Sequence, residues 1–234
     1  MEIMADENKI CFIICANNDL FYEECVRYIR WLEVPEGMEV ELMEIREAAS
    51  MAAGYNEGMN SSDAKYKVYM HQDVFIINKF FIHDIVSIFK SSEKIGVVGL
   101  IGSVKVPENG VMWSESRVGN WSKIIPWEGY RYDKEKDGWW EVEGADGLLL
   151  ATQYDIPWRE DLFDGWDFYD LSCCFEMKRR GFHAVVPVQR HIWFIHDDKA
   201  AMALWNYNKY RNIFLEEYMG KDKHSIEREG HSCG

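Results

Sequence analysis

Proline is scarce in this sequence, with five residues in 234, and glycine is ordinary at seventeen. That excludes a collagen-like repeat, and the 47% apolar share argues against a wholly disordered chain. No CxxC pair occurs among the six cysteines, so zinc-ribbon and thioredoxin-type motifs lack support. Cys11, Cys15 and Cys25 lie on apolar, element-like stretches where free thiols are common, and Cys173 and Cys174 are adjacent, which rarely bridge. Basic residues are also short: 26 Lys and Arg against 40 Asp and Glu leave a formal charge of −14. A binder of nucleic-acid backbones normally needs a basic stripe, and anionic membranes repel such a surface. A small anionic ligand, held by a local arginine or a metal ion, remains compatible with the balance. Long apolar runs are missing too. The longest near-continuous one, Ile10 to Ala16, falls far short of the ~20 residues that span a bilayer. The first ten residues lack the basic segment and apolar stretch of a secretory signal. These absences predict a reducing, cytoplasmic setting without a transmembrane segment.

What is abundant is aromatic: 15% of the chain, with ten Trp, twelve Tyr and twelve Phe. Such a share suits a core, an interface or a platform for flat or sugar-like ligands. The length suits one domain with a core that needs neither disulfides nor a structural metal.

Residues 10–16 form an apolar run ending at Asn17, Asn18 and Asp19, as in a strand buried on both faces. Asn18 or Asp19 can cap a helix over 20–32, where Phe21, Cys25, Ile29 and Leu32 recur at helical spacing. Residues 38–45 alternate as a strand, 48–61 read as a helix carrying Gly54 and Gly58, and 66–70 as a strand ending at His71, Gln72 and Asp73. A helix over 78–90 and a strand over 95–101 follow. This alternation predicts a parallel sheet with right-handed crossovers, whose ligand crevice lies beyond the carboxyl ends of the strands. Asn17, Asn18, Glu44, His71 and Asp73 fall at or near those ends. The periodicity fails from 102 to 138, a stretch rich in Trp, Gly and Ser. Strand character returns over 139–153, 182–188 and 191–195, with helices over 167–180 and about 200–219, then a polar tail after Gly220.

Three clusters carry candidate chemistry. His71 and Asp73, two apart at a strand end, suit a divalent cation and its phosphate ligands; the alternative is an aspartate capping the next turn. Glu160, Asp161, Asp164, Asp167 and Asp170 are interleaved with Phe163, Trp166, Phe168 and Tyr169. A carboxylate among aromatics has a raised pKa and serves as a general base, though an acidic helix N-terminus is favoured anyway. His196, with Asp197 and Asp198, suits either a metal site or a solvated turn, and Asp146, between Gly144 and Gly147, suits a site or a tight turn. No Walker loop, GxSxG elbow or HExxH is present.

The order of these features resembles the family 2 glycosyltransferases of GT-A fold, and more narrowly their branch related to the streptomycin-biosynthesis protein StrF. Ala52, Asn56 and Gly58 match the family's Ala-x-x-x-Asn-x-Gly helix. Tyr69-Met70-His71-Gln72-Asp73 occupies the place of the strand ending in Asp-x-Asp. Tyr169-Asp170, with Gly181 eleven residues on, takes the place of the Glu-Asp pair that opens a helix. Trp166-x-Phe168-Tyr169-Asp170 and the run 145–152 resemble the StrF-type branch. His71 and Tyr169 depart from the family pattern. The resemblance spans residues 9 to about 200. It implies one GT-A-type α/β domain over 1–220 with a mostly parallel central sheet flanked by helices. A Rossmann-like half over 9–101 would bind the nucleotide, and 102–220 would form the acceptor side. It implies inverting transfer from a nucleotide-diphosphate sugar to an unknown acceptor. Mg²⁺ or Mn²⁺ would sit on Asp73 and His196, and Asp170 would be the base. Asn17, Glu44, Asn56 and His71 would line the nucleotide pocket, and Asp146, Trp166 and Asp167 would face the donor sugar or acceptor. The Trp-rich stretch 113–140 would wall the acceptor side. The rival implication is a non-catalytic GT-A-like domain that binds a nucleotide sugar or glycan, or serves as an interaction module.

Overall fold

The computed structural model describes residues 5–114, 117–119, 122–123, 137–197 and 206–220. The expected tail beyond Gly220, the start of the last helix and most of the Trp-rich stretch lie outside them.

The first strand, β1 (Asp6–Ala16), is the centre from which the fold grows. Its side chains alternate across the sheet. Ile10, Phe12 and Ile14 enter one apolar cluster and Cys11 and Ile13 the other, all of them fully buried. A strand with no solvent face needs the continuous apolar run that its sequence carries. Helix α1 (Asp19–Arg30) follows, capped by Asn18, whose Oδ1 accepts from the N–H groups of Leu20 and Phe21. Strand β2 (Glu39–Arg46) and β3 (Ala64–His71) pair in parallel on either side of β1. Between them α2 (Met51–Ser61) lies against β1 through its glycines. A methyl on Gly54 would stand 2.5 Å from Cys15 Sγ, and one on Gly58 would strike Ile13. The two glycines thus serve close helix–strand packing.

After β3 the chain makes a three-residue strand, β4 (Val74–Ile76), then α3 (Phe81–Ser91), β5 (Ile95–Gly99) and β6 (Ile101–Ser103). Two short strands follow, β7 (Arg117–Gly119) and β8 (Ser122–Lys123). Next come β9 (Trp139–Val142), β10 (Gly144–Ala145) and β11 (Leu149–Thr152). Helix α4 (Tyr169–Arg179), β12 (His183–Pro187), β13 (Phe194–His196) and α5 (Tyr207–Met219) complete the chain.

The central sheet has seven strands in the order β2-β1-β3-β11-β5-β12-β9. It is mostly parallel, as expected, but β11 enters antiparallel between β3 and β5, and β9 closes the edge antiparallel to β12. The run of parallel neighbours therefore stops at β3. Because β11 runs backwards, the turn before it, Asp146-Gly147-Leu148, arrives at the same edge as the ends of β1, β2 and β3; the His71 N–H donates to Leu148 O at 3.0 Å. Most aromatic rings of the described residues are buried in the two clusters flanking this sheet. Among the described residues only Trp31, Phe80 and Trp166 leave large rings exposed, so the aromatics described go mainly into core. No described helix is long and apolar enough to cross a membrane.

Candidate active site

The candidate site begins where β1 ends. Gln72 ties it together. Its Oε1 accepts from the N–H groups of Asn17 and Asn18, at 3.0 and 2.9 Å, and its Nε2 donates to Asn17 Oδ1 at 2.6 Å. Asn17 is exposed at this rim. Nothing in the sequence pairs residues 17 and 72, which only the parallel register of β1 and β3 brings together. Glu44 is exposed one strand further out and paired to Arg46, which also meets Asp19 at 2.7 Å.

Beyond β3 the chain turns into β4, and β4 pairs with β13 so that Val74 faces His196. The Asp197 N–H donates to Asp73 O at 2.9 Å. This small sheet brings His71, Asp73 and His196 together, with one potential ligand atom from each within 4.8 Å of the others. Asp73 Oδ1 is buried without a hydrogen-bond partner and lies 3.5 Å from His196 Nε2. Burial alone would push the Asp73 carboxyl up, but His196 and His71 together hold it below its ordinary value. Burial pushes the His71 imidazole down, against the pull of Asp73.

Asp146 and Asp170 approach from the other side. Asp146 Oδ1 accepts from the Leu148 N–H at 2.8 Å, and Asp170 Oδ2 accepts from the Gly147 N–H at 2.9 Å. Asp170 Oδ1 takes the Leu171 N–H at 2.8 Å, so both oxygens are aimed by backbone. Helix N-termini favour a carboxylate, yet burial, and then the charge of Asp146, push Asp170 up to about 7. Burial also raises Asp146. Phe168, the residue before α4, has φ 62°, left-handed backbone that a buried aromatic adopts only under constraint. Its ring is wedged against Tyr207 and Phe214 of α5.

Tyr169 links the two groups. Its hydroxyl stands 2.6 Å from His71 Nε2, and the missing side chain of Gly147 makes room for it. The sequence singled out Tyr169 as a departure from a pattern, but not as a partner of His71.

The remaining acids divide. Asp161 pairs with Arg159 at 2.8 Å, and Asp164 with Lys209 at 2.9 Å and the Tyr210 hydroxyl at 2.8 Å. Both serve architecture. Helix α4 starts at Tyr169, so Asp167 precedes it and does not share a helical face with Asp170. Burial raises Asp167, and Trp166 beside it is 55% exposed. Asn56 is buried, and its amide is committed to the chain. Nδ2 donates to Trp158 O at 2.9 Å, and Oδ1 accepts the Trp158 N–H at 2.8 Å. Both amide atoms are thus engaged with the backbone of Trp158, whose ring packs against Tyr169. Trp158 O keeps a second donor in the Glu160 N–H, so Asn56→Ala strands one buried N–H. It should cost about 1–3 kcal/mol of unfolding free energy, read by urea denaturation.

With this geometry in place, comparisons are informative. A sequence model described as "Glycosyltransferase like family" matches residues 11–218, and the chain belongs to that family. No curated protein matches it by sequence. Among solved structures, the mannosyltransferase PcManGT from Pyrobaculum calidifontis, in complex with GDP-Man and Mn²⁺, superposes with a TM-score of 0.60 at 12% identity, over 93% of this chain and 66% of that one. GalNAc-T7 with UDP, GalNAc and Mn²⁺ gives 0.60 at 12%, over 92% and 50%. S. aureus TarS 1–349 in complex with UDP gives 0.56 at 10%, over 88% and 64%. The chain spans about two-thirds or less of each. At such identities the likeness is one of fold: a GT-A-type α/β domain with a mostly parallel central sheet flanked by helices.

Proposed function

We propose that the chain transfers a sugar from a nucleotide-diphosphate sugar to an acceptor hydroxyl, with inversion at the anomeric carbon. One observation carries this reading. A half-buried carboxyl poised near neutrality, Asp170, shares one edge of the sheet with the His71, Asp73 and His196 donor set. Family membership and neighbours solved with UDP or GDP-Man support it.

The donor set fits a divalent cation, because Asp73 Oδ1 is buried with no hydrogen-bond partner and faces two imidazoles. A bound Mg²⁺ or Mn²⁺ would neutralise charge developing on the diphosphate leaving group. One carboxylate and two imidazoles suit Mn²⁺ better than Mg²⁺. Asp170 takes the acceptor proton as the hydroxyl attacks, and the Gly147 and Leu171 N–H groups hold its oxygens in aim. Asn17 and Glu44 border the nucleotide side. Asp146, Asp167 and the exposed Trp166 face the sugars, where an indole suits an apolar sugar face. Residues 9–101 supply the nucleotide half and 102–220 the acceptor half. The resemblance of the Trp166-x-Phe168-Tyr169-Asp170 phrase supports a StrF-like branch in this reading, with a cytoplasmic setting.

The test is a thermal-shift screen of UDP, GDP and their sugars, with and without Mn²⁺, followed by an assay for donor hydrolysis or transfer. A shift specific to one nucleotide and dependent on the metal is expected. Silence toward every nucleotide would remove the proposal.

A further inference from the structure

Tyr169 lies outside the His71, Asp73 and His196 donor set and is not needed to take a proton, yet its hydroxyl is held against that set. The side chain is 4% exposed. Its ring packs edge-on against Tyr55, with centroids 5.9 Å apart, and against Trp158 at 6.1 Å. Its hydroxyl meets His71 Nε2 at 2.6 Å, in space that any side chain at position 147 would fill. The left-handed Phe168 immediately before it fixes where the ring can point. An imidazole has two ring nitrogens, and a partner on one determines what the other can do. In the tautomer that donates Nε2–H to the Tyr169 oxygen, Nδ1 carries the free lone pair.

We infer that Tyr169 is a positioning residue that orients His71 with Nδ1 toward the metal and, through the shared peptide with Asp170, ties the metal ligand to the base. This inference rests on the metal reading above.

The experiment is Mn²⁺ binding to the full chain without nucleotide, followed by electron paramagnetic resonance of the free ion. Tyr169→Phe keeps the ring and removes the hydroxyl, and should weaken Mn²⁺ about 10–100-fold, as loss of a ligand's hydrogen-bond partner does. Tyr55→Phe removes a buried, unpartnered hydroxyl from the same aromatic cluster and should leave Mn²⁺ affinity unchanged. Equal affinity for wild type and Tyr169→Phe, or an equal loss in Tyr55→Phe, would overturn the inference while sparing the metal site. A wild type that binds no Mn²⁺ would overturn both. A second measurement needs no variant: with diamagnetic Zn²⁺ added, the ¹⁵N shifts of His71 should show Nδ1 metallated and Nε2 protonated. Metallation at Nε2 would overturn the assignment.

Discussion

Asp170→Asn is expected to lower kcat for sugar transfer about 10²–10⁴-fold, the usual contribution of a positioned general base. Donor affinity, measured by titration calorimetry, should stay within about twofold, since Asp170 lies on the acceptor side of the proposed chemistry. Asparagine keeps an oxygen for the Gly147 N–H but cannot take a proton. The pH profile adds a check. A base must be ionised to act, and burial with the Asp146 charge lifts Asp170 to about 7, so kcat/KM should fall on the acid side of about that pH. The two carboxyls titrate as a pair. Asp146→Asn removes the repelling charge and should move the acid limb to lower pH; an unmoved limb would detach Asp146 from the base. Stability gives an independent sign. The folded pKa of Asp170 is raised from an ordinary 3.8, so its contribution is intact at acid pH and is lost as pH rises through the folded value. Asp170→Asn has no charge to bury. Its Tm relative to wild type should therefore increase between about pH 4 and pH 8. A constant Tm difference would mean that the carboxyl is not buried as the structure has it.

The parallel half of the sheet was legible because burial on two faces leaves a local mark: an uninterrupted apolar run such as Ile10 to Ile14, ended by a capping Asn18. Helix α4 was legible in the same way from Gly181, which takes φ 83° just past its end. What stayed hidden depends on partners distant in sequence. The entry of β11 between β3 and β5, with Leu149 opposite Met70, leaves no periodic signature, because a four-residue strand buried on both faces reads alike in either direction. The β4–β13 pair is three residues deep and below what a pattern can register, yet it is what carries His196 to Asp73. The sequence puts the candidate acids and imidazoles near strand and helix ends but does not show which of them are taken up by ion pairs. Asp161, Asp164 and Asp170 look alike in sequence, and only the placement of Arg159, Lys209 and Tyr210 commits the first two to ion pairs and hydrogen bonds. Asn56 matches a motif, but its amide is committed to Trp158.

Asp73→Asn should fail differently from Asp170→Asn, and the contrast separates the two roles. It removes the only carboxylate of the donor set and leaves both imidazoles in place. Mn²⁺ affinity and transfer should each fall at least about 10²-fold, since a cation stabilising a leaving group is worth several kcal/mol. The loss should appear in donor affinity as well as in kcat, because the cation is proposed to lie between protein and diphosphate. Stability without metal should fall modestly at neutral pH, because His196 and His71 hold the Asp73 carboxyl below its ordinary value in the folded state. The decisive quantity is the stabilisation that Mn²⁺ itself confers. At 100 times its dissociation constant a ligand adds about 2.7 kcal/mol to a protein that binds it only when folded. Wild type should gain that increment in a denaturant titration, and Asp73→Asn at the same Mn²⁺ concentration should gain less than about half of it. His196→Ala should fall between them, because it spares the carboxylate. An Asp73→Asn variant stabilised by Mn²⁺ as strongly as wild type would move the cation away from the end of β3, and the diphosphate with it.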